Sequence, residues 1–197
     1  MQRHRDHFLC AAQKAHSALV LGDGDGRFLE RLITLNSSVV VDSIEASHKM
    51  AVLARRRIDH RLANSDSLRV RILEGDARRI DFPMKSYDLI ATHFFLDCFN
   101  ESELVQLTDR LAHHAAPRAL WIISEFRKPT VFFEAIHAKV WLKIMYTFFR
   151  LVAKLEVEDL PDHRGILTAN RFTLIDQHLS FLSFVGSELW QFGPLPE

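Results

Sequence analysis

Three glycines on alternate positions, Gly22, Gly24 and Gly26, separate an apolar run from a segment with helical periodicity. Glycine lets the backbone adopt positive φ and lets a ligand approach the main chain. A helix beginning near Arg27 would add free N–H groups and a positive dipole end, which favour an anionic or carboxylate-bearing ligand. The stretch fits neither G-x-G-x-x-G nor the G-K-[ST] of a phosphate-binding loop. It indicates a ligand-binding turn of another type, or a simple strand-to-helix turn.

Two carboxylates follow the next two strand-like runs. Glu45 ends a β-branched run about 20 residues past the glycine turn, where a carboxylate can accept both hydroxyls of a ribose. Asp76 ends the following run, within "LEGDAR", where a side-chain acceptor could take an adenine amino group. Either acid alone could be a solvated strand end. Together with the glycine turn, and in this order, they predict a nucleoside-binding site.

The segment "YDLIATHFFLDCF" predicts a fourth strand that opens onto a loop. His93 is the candidate general base, because imidazole titrates near working pH, although it could be a hydrogen-bonded histidine at a strand end. Asp97 could cap the next helix or orient a substrate hydroxyl. No Cys/His spacing indicates a metal site. Further candidates for a substrate pocket follow the fourth and fifth strands: Phe94, Phe95, Glu125 and Arg127.

Strand-like and helix-like segments alternate along the first two thirds of the chain. Five short apolar runs, ending with "RALWIISEF", are separated by helical segments such as "ESELVQLTDRLAHHAA". This alternation predicts an α/β fold, a parallel sheet with helices on both faces and ligands at the carboxyl ends of the strands. The tail "FTLIDQHLSFLSFVGSELWQF" predicts an antiparallel hairpin on one edge.

Length and charge limit the class of protein. The 197 residues predict a single domain, 1–197, and the 25 basic and 25 acidic side chains cancel, so that no nucleic-acid partner is expected. Two cysteines cannot form a disulfide framework. No run approaches the ~20 apolar residues of a membrane-spanning helix. A cytoplasmic protein of undetermined oligomeric state is expected.

The segment "VFFEAIHAKVWLKIMYTFFRLVAKLEVEDL" predicts a helical lid over about residues 130–157. On a helix its basic residues share one stripe, and its apolar and aromatic residues form a broad arc opposite. That arc could pack on the sheet, or part of it could line a pocket for an apolar or aromatic substrate bordered by Tyr146 and Arg150. A basic stripe with an aromatic face would also suit peripheral contact of the 132–155 helix with an anionic membrane.

Four stretches together resemble the class I S-adenosylmethionine-dependent methyltransferases. They are "ALVLGDGDGRF", "VVVDSIEASHKMAVLARRR", "ILEGDARRIDFPMKSYDLIATHFFLDCF" and "LTDRLAHHAAPRALWIISEF". The resemblance covers about Ser17 to Phe126 and, through the terminal hairpin, extends to the whole chain. It implies a Rossmann-like seven-stranded sheet of order 3-2-1-4-5-7-6 with strand 7 antiparallel, and S-adenosyl-L-methionine as cofactor.

The resemblance also assigns cofactor contacts at the glycine turn, at the acid ending strand 2 and at "GDA". Two features depart from the family pattern: Gly22 lies where many members carry an acid, and Phe28 lies where a third loop glycine often falls. Asp23 or Asp25 would then meet the methionine ammonium. The implied cofactor contacts are Gly22, Asp23, Gly24, Asp25, Gly26, Glu45, Ala46, Asp76 and Ala77. His93 is a further predicted contact, because the loop after strand 4 should approach the transferring methyl.

The resemblance implies a methyltransferase, and the aromatic arc of the lid segment predicts a small acceptor that is partly apolar or aromatic. "THFF" at the end of strand 4 is not an N-P-P-Y motif, which disfavours DNA-adenine or protein-glutamine methylation. O-, N-, S- and C-methylation all stay open. The form "GDGDG" is also similar to aminopropyltransferases of the spermidine synthase type. The other alternative is a non-catalytic cofactor-binding scaffold of the same fold.

Overall fold

A computed structural model describes residues 2–61, 69–126, 162–179 and 185–194. In these ranges, the strands are β1 Ser17–Leu21, β2 Val40–Glu45, β3 Val70–Glu74, β4 Tyr87–His93, β5 Ala115–Phe126, β6 Phe172–Leu179 and β7 Val185–Phe192. The α-helices are α1 Gln2–Arg5, α2 Arg27–Leu35, α3 His48–Arg61, α4 Glu101–His113 and α5 His163–Ala169. Two 3₁₀ helices cover Leu9–Lys14 and Leu96–Cys98.

The seven strands form one sheet in the order β3-β2-β1-β4-β5-β7-β6. Strands β1 to β5 pair in parallel, whereas β7 is antiparallel to both β5 and β6. This confirms the predicted fold class, including the position and direction of the seventh strand. The order reverses between β1 and β4, so that a crevice opens there at the carboxyl ends of the strands.

Both faces of the sheet are buried, which explains why its central strands read as continuous apolar runs. Neighbouring residues of one strand point to opposite faces, so Trp121 packs with α4 and α5 while Ile122 packs with α2 and α3. The two cores hold the strands rigidly, and the loops at their carboxyl ends are thereby fixed relative to one another.

Helix α4 begins where the sequence supplies a complete capping box. The Asn100 side chain accepts a hydrogen bond from the Glu103 amide at 3.0 Å, and the Glu103 carboxylate accepts one from the Asn100 amide at 3.2 Å. This cap ends the loop that follows β4. The predicted lid over about 130–157 lies outside the described residues. No helix in the described part of the chain is long and apolar enough to cross a membrane.

Candidate cofactor and acceptor site

The glycine turn follows β1 and has the left-handed backbone that its sequence predicts. Gly22, Gly24 and Gly26 have φ values of 66°, 70° and 79°. Gly26 precedes α2, and a Cβ there would lie 2.9 Å from the Ala54 backbone of α3. A Cβ at Gly24 would meet nothing within 4 Å, so the main chain is accessible at that point. The turn therefore combines a tightly packed anchor at Gly26 with an open cradle at Gly24.

Asp23 lies inside this turn and is only 2% exposed. Its carboxylate accepts hydrogen bonds from the amides of Phe28 at 3.2 Å and Leu29 at 2.9 Å, and it forms an ion pair with Arg5 at 3.2 Å. Burial raises the pKa of Asp23 to about 6 against the effect of these donors. Asp23 thus caps α2, and its carboxylate is directed at the protein rather than at the crevice.

Asp25, the other acid of the turn, is bound to helix α3. Its carboxylate accepts hydrogen bonds from Arg27 and from Arg57, each at 2.9 Å, and Arg57 also donates to the Asp25 carbonyl at 2.8 Å. This clamp holds the turn against α3. Both acids of the turn accept hydrogen bonds from protein donors in this arrangement, and the role predicted for them with a methionine ammonium stays a prediction.

Glu45 ends β2 beside the turn, across the crevice from β4. Its Oε2 accepts a hydrogen bond from the Gly24 amide at 3.0 Å, and its Oε1 accepts one from Ser47 at 2.9 Å. The carboxylate is therefore fixed next to the open main chain of Gly24, and its role toward a ribose stays a prediction. Ala46, the next residue, is exposed.

Asp76 follows β3 and binds Arg78. The Arg78 side chain donates to both carboxylate oxygens, at distances from 2.6 to 3.0 Å, and the Arg78 amide donates at 2.9 Å. These hydrogen bonds lower the pKa of Asp76, which keeps the carboxylate in the acceptor form that an adenine amino group requires. Arg78 also pairs with Glu103. Ala77 beside it is 5% exposed and belongs to the core.

His93 ends β4 and is 1% exposed. Its ring lies 4.3 Å from that of Phe28, and neither ring nitrogen has a hydrogen-bond partner among the described residues. Burial, with a smaller effect of Arg5, lowers the pKa of His93 well below its ordinary value. The imidazole is therefore neutral at working pH, and its predicted role as a general base stays a prediction.

Two phenylalanines after β4 point in different directions. Phe94 has a left-handed backbone with φ 54°, and its ring lies 4.7 Å from that of Phe126 and 5.6 Å from the Arg5 guanidinium carbon. The Phe95 ring instead rests on Gly22, where a Cβ would lie 2.4 Å from Phe95 Cδ2. Phe94 therefore borders the ends of β4 and β5, whereas Phe95 borders the glycine turn.

The loop after β4 contains Asp97 and Cys98, and Glu125 of β5 lies beside it. Burial and the nearby Asp97 raise the pKa of Glu125 well above its ordinary value, and burial raises the pKa of Asp97 to about 6. The Cys98 thiol lies 3.7 Å from Asp97, and burial together with Asp97 raises its pKa, so it carries no thiolate at neutral pH. Glu125 faces the loop backbone in this arrangement.

Helix α1 also reaches this edge of the sheet, which the sequence pattern did not indicate. The His4 carbonyl accepts hydrogen bonds from Ser124 of β5 at 3.2 Å and Ser187 of β7 at 2.8 Å. Arg5 joins this helix to Asp23 and to the Phe94 ring. Sequence spacing could not reveal these contacts, because the hydroxyls belong to residues more than a hundred positions away.

The remaining predicted pocket residues, Arg127, Tyr146 and Arg150, lie outside the described residues, as does the 132–155 helix. Among the residues that the structure does describe, no group of histidine, cysteine and carboxylate side chains could hold a metal ion. The structure thus brings Glu45 and Phe95 to the glycine turn, whereas His93 is buried against Phe28 and Phe94 packs against Phe126.

Comparisons with known proteins concern the family and the fold. The family model described as "Methyltransferase domain" matches residues 18–118, about half of the chain. No curated protein sequence matches the chain. Among solved structures, the N-methyltransferase NodS from Bradyrhizobium japonicum WM9 is 14% identical over 98% of this chain and 97% of its own, with a TM-score of 0.66.

Two further structures share the fold. NodS in complex with S-adenosyl-L-homocysteine is 14% identical over 98% of this chain and 88% of its own, with a TM-score of 0.68. An O-methyltransferase family protein from Burkholderia thailandensis is 15% identical over 97% of this chain and 57% of its own, also with a TM-score of 0.68.

Proposed function

Because the chain belongs to the methyltransferase domain family, we propose that it transfers a methyl group from S-adenosyl-L-methionine to a small acceptor with an apolar or aromatic portion. The cofactor assignment also draws on the fold shared with NodS, whose structure contains S-adenosyl-L-homocysteine. The observation that carries the proposal is the hydrogen bond between Glu45 and the Gly24 amide, because it joins a ribose acceptor to an open main-chain cradle.

The residues present fit such a cofactor. Gly24 leaves space above its backbone, Glu45 supplies a carboxylate for the ribose hydroxyls, and Asp76 supplies an ionised acceptor for the adenine amino group. The departures at Gly22 and Phe28 are accommodated, since Gly22 underlies Phe95 and Phe28 packs in the core. When bound, S-adenosylmethionine supplies an electrophilic methyl group on its sulfonium.

Methyl transfer is an in-line displacement, so the protein contributes mainly by positioning the two reactants and excluding water. Phe94 and Phe126 form an apolar wall at the ends of β4 and β5, suited to an acceptor with an aromatic portion. His93 holds a neutral imidazole at the end of β4, and a ring nitrogen of His93 takes the proton of an acceptor that must lose one.

Calorimetric titration of the purified protein tests the proposal first. S-adenosylmethionine and S-adenosylhomocysteine should both bind with micromolar Kd, and a panel of small phenols, amines and thiols should then identify the acceptor by transfer of labelled methyl. Decarboxylated S-adenosylmethionine serves as the comparison ligand, because an aminopropyltransferase would prefer it. A folded sample that binds none of these ligands would contradict the proposal.

Glu45→Ala should weaken binding of S-adenosylhomocysteine at least tenfold, which corresponds to about 1.4 kcal/mol. The substitution removes the carboxylate that accepts the ribose hydroxyls and the Gly24 amide. Calorimetry on the variant measures the loss, with Asp109→Ala as the control because Asp109 is an exposed carboxylate of α4 that pairs with His113 of the same helix. Unchanged affinity in the Glu45 variant would remove this residue from the site.

His93→Ala should reduce turnover by ~10²-fold while binding of S-adenosylhomocysteine changes much less, because the imidazole acts on the acceptor proton. Single-turnover rates with labelled cofactor measure the effect once an acceptor is known. His113→Ala is the matched control, since that histidine is exposed and bonds only to the preceding turn of its own helix. A variant with wild-type turnover would leave His93 as a packing residue.

A further inference from the structure

The carboxylate of Glu125 is bonded to the backbone of the loop after β4. Its Oε1 accepts hydrogen bonds from the amides of Phe95 and Leu96, both at 2.9 Å, and the side chain is 3% exposed. The preceding amide, that of Phe94, donates to the Ser124 carbonyl at 2.7 Å. Three consecutive loop amides are thus bound to the end of β5.

These hydrogen bonds hold the loop in a conformation that the chain would not adopt freely. Phe94 has φ 54°, and a left-handed conformation costs a non-glycine residue about 1 kcal/mol or more. Such a backbone persists only where the surroundings determine it. Because two of the three amides are bound by one carboxylate, Glu125 is the side chain that determines the direction of the loop.

The direction of the loop decides where the Phe95 ring lies. In this structure the ring rests on the main chain of Gly22, at the point where any Cβ would collide with it. Phe95 also contacts the Phe99 ring edge-to-face with centroids 4.9 Å apart, and the Arg78 guanidinium lies over Phe99 at 5.8 Å. Arg78 in turn binds Asp76. One continuous wall therefore runs from the glycine turn to the predicted adenine acceptor.

We propose that Glu125 is a positioning residue that holds the loop after β4 so that Phe95 forms the wall of the cofactor cleft against Gly22. The inference rests on the proposed function, because it concerns the same cleft. Glu125 acts through the Phe95 and Leu96 amides and contacts neither cofactor nor acceptor. This role differs from the substrate contact that the sequence predicts for Glu125. It makes the cofactor affinity of the cleft beside β1 depend on a residue of β5.

Titration with S-adenosylhomocysteine tests the inference. Glu125→Leu, which cannot accept the two amide hydrogen bonds, should weaken binding at least tenfold. Glu125→Gln should bind within about twofold of the wild type, because its Oε1 still accepts both amides. Glu125→Asp keeps the carboxylate but is one methylene too short to reach both amides, and it should weaken binding as Glu125→Leu does. The Glu125→Asp variant tests the same hydrogen bonds if Glu125→Leu does not fold.

A double-mutant cycle with Phe95→Ala separates positioning from general destabilisation. If Glu125 acts through Phe95, then Glu125→Asp should have little further effect once the Phe95 ring is absent. Glu188→Gln is the matched control, since Glu188 is a buried carboxylate of the neighbouring strand whose hydrogen bonds come from His163, Arg164 and Trp190. It should leave the affinity unchanged even where it lowers the melting temperature.

Three results would overturn the inference: wild-type affinity in Glu125→Asp, full additivity with Phe95→Ala, or an equal loss of affinity in Glu188→Gln. Failure of the proposed function gives a different result, because the folded wild-type protein would then bind no S-adenosylhomocysteine at all. The wild-type titration is therefore made first, and the variants are compared with it at the same pH and salt concentration.

Discussion

Gly26→Ala should lower the free energy of unfolding by about 3 kcal/mol, since left-handed strain of about 1 kcal/mol and overpacking of about 2 kcal/mol add at one site. Gly26 has φ 79°, and its new Cβ would lie 2.9 Å from both Cα and Cβ of Ala54. Ala54 belongs to the rigid helix α3, so α2 and α3 must separate. Urea unfolding monitored by circular dichroism measures the change.

Gly24→Ala is the control, because Gly24 has nearly the same backbone conformation, with φ 70°, but nothing lies within 4 Å of the added Cβ. This variant should lose only the strain, about 1 kcal/mol. The difference between the two variants isolates the contact of the glycine turn with α3. Equal losses would mean that α3 adjusts without cost, and the turn would then not be anchored at Gly26.

The sequence predicts the fold well because the fold depends on periodicity. Apolar runs alternate with helical segments through the first five strands, and only a parallel sheet covered on both faces accommodates that order. The two closely spaced strands of the tail required an antiparallel pair at the edge, and the structure has β6 and β7 there. The order around β7 came from the family resemblance, since periodicity alone does not place that strand between β5 and β6.

Strand boundaries were less predictable. The sequence places the start of β5 near Arg118, after Pro117, whereas pairing begins at Ala115. The reason is an irregularity between Tyr87 and Leu89 of β4, opposite which the β5 chain takes a longer path that includes Arg118 at φ 65°. An arginine with positive φ cannot be recognised from its residue type, whereas a glycine in a turn often indicates such a backbone conformation.

Only part of the site could be predicted from the sequence, because several side chains bind distant residues that no local sequence pattern specifies. The glycine turn and Glu45 were recognisable from residue type and spacing. The pairing of Asp23 with Arg5, and of Glu125 with two loop amides, depends on how distant elements pack. The burial of His93 against Phe28 follows from the same packing. The roles assigned to these residues toward ligands stay predictions until binding is measured.

Glu188 should make a large contribution to stability that disappears in acid. It lies on β7, is 1% exposed, and accepts hydrogen bonds from His163 at 3.1 Å, Arg164 at 2.9 Å and Trp190 at 2.9 Å. Burial alone would raise its pKa, but these donors and their charges outweigh burial and lower the pKa of Glu188 to about 2. The carboxylate is therefore more acidic in the folded than in the unfolded chain.

The sign of the pH dependence follows from linkage. A carboxylate with a depressed pKa stabilises the fold above its unfolded pKa of about 4.5, and this contribution, about 3 kcal/mol here, is lost as the pH falls towards 2. Because glutamine does not titrate, the difference in unfolding free energy between wild type and Glu188→Gln should shrink by about that amount between pH 6 and pH 2. Urea unfolding at several pH values in this range measures it.

The exposed pair of Glu74 and His48 provides the comparison for this acid effect. Glu74 also contacts a histidine, at 2.6 Å, but the side chains are 50% and 76% exposed, so solvent screens the pair. Glu74→Gln should therefore change stability by less than about 1 kcal/mol. A constant difference between wild type and Glu188→Gln over the whole range would contradict the argument, since the donors around Glu188 would then not prefer its ionised form.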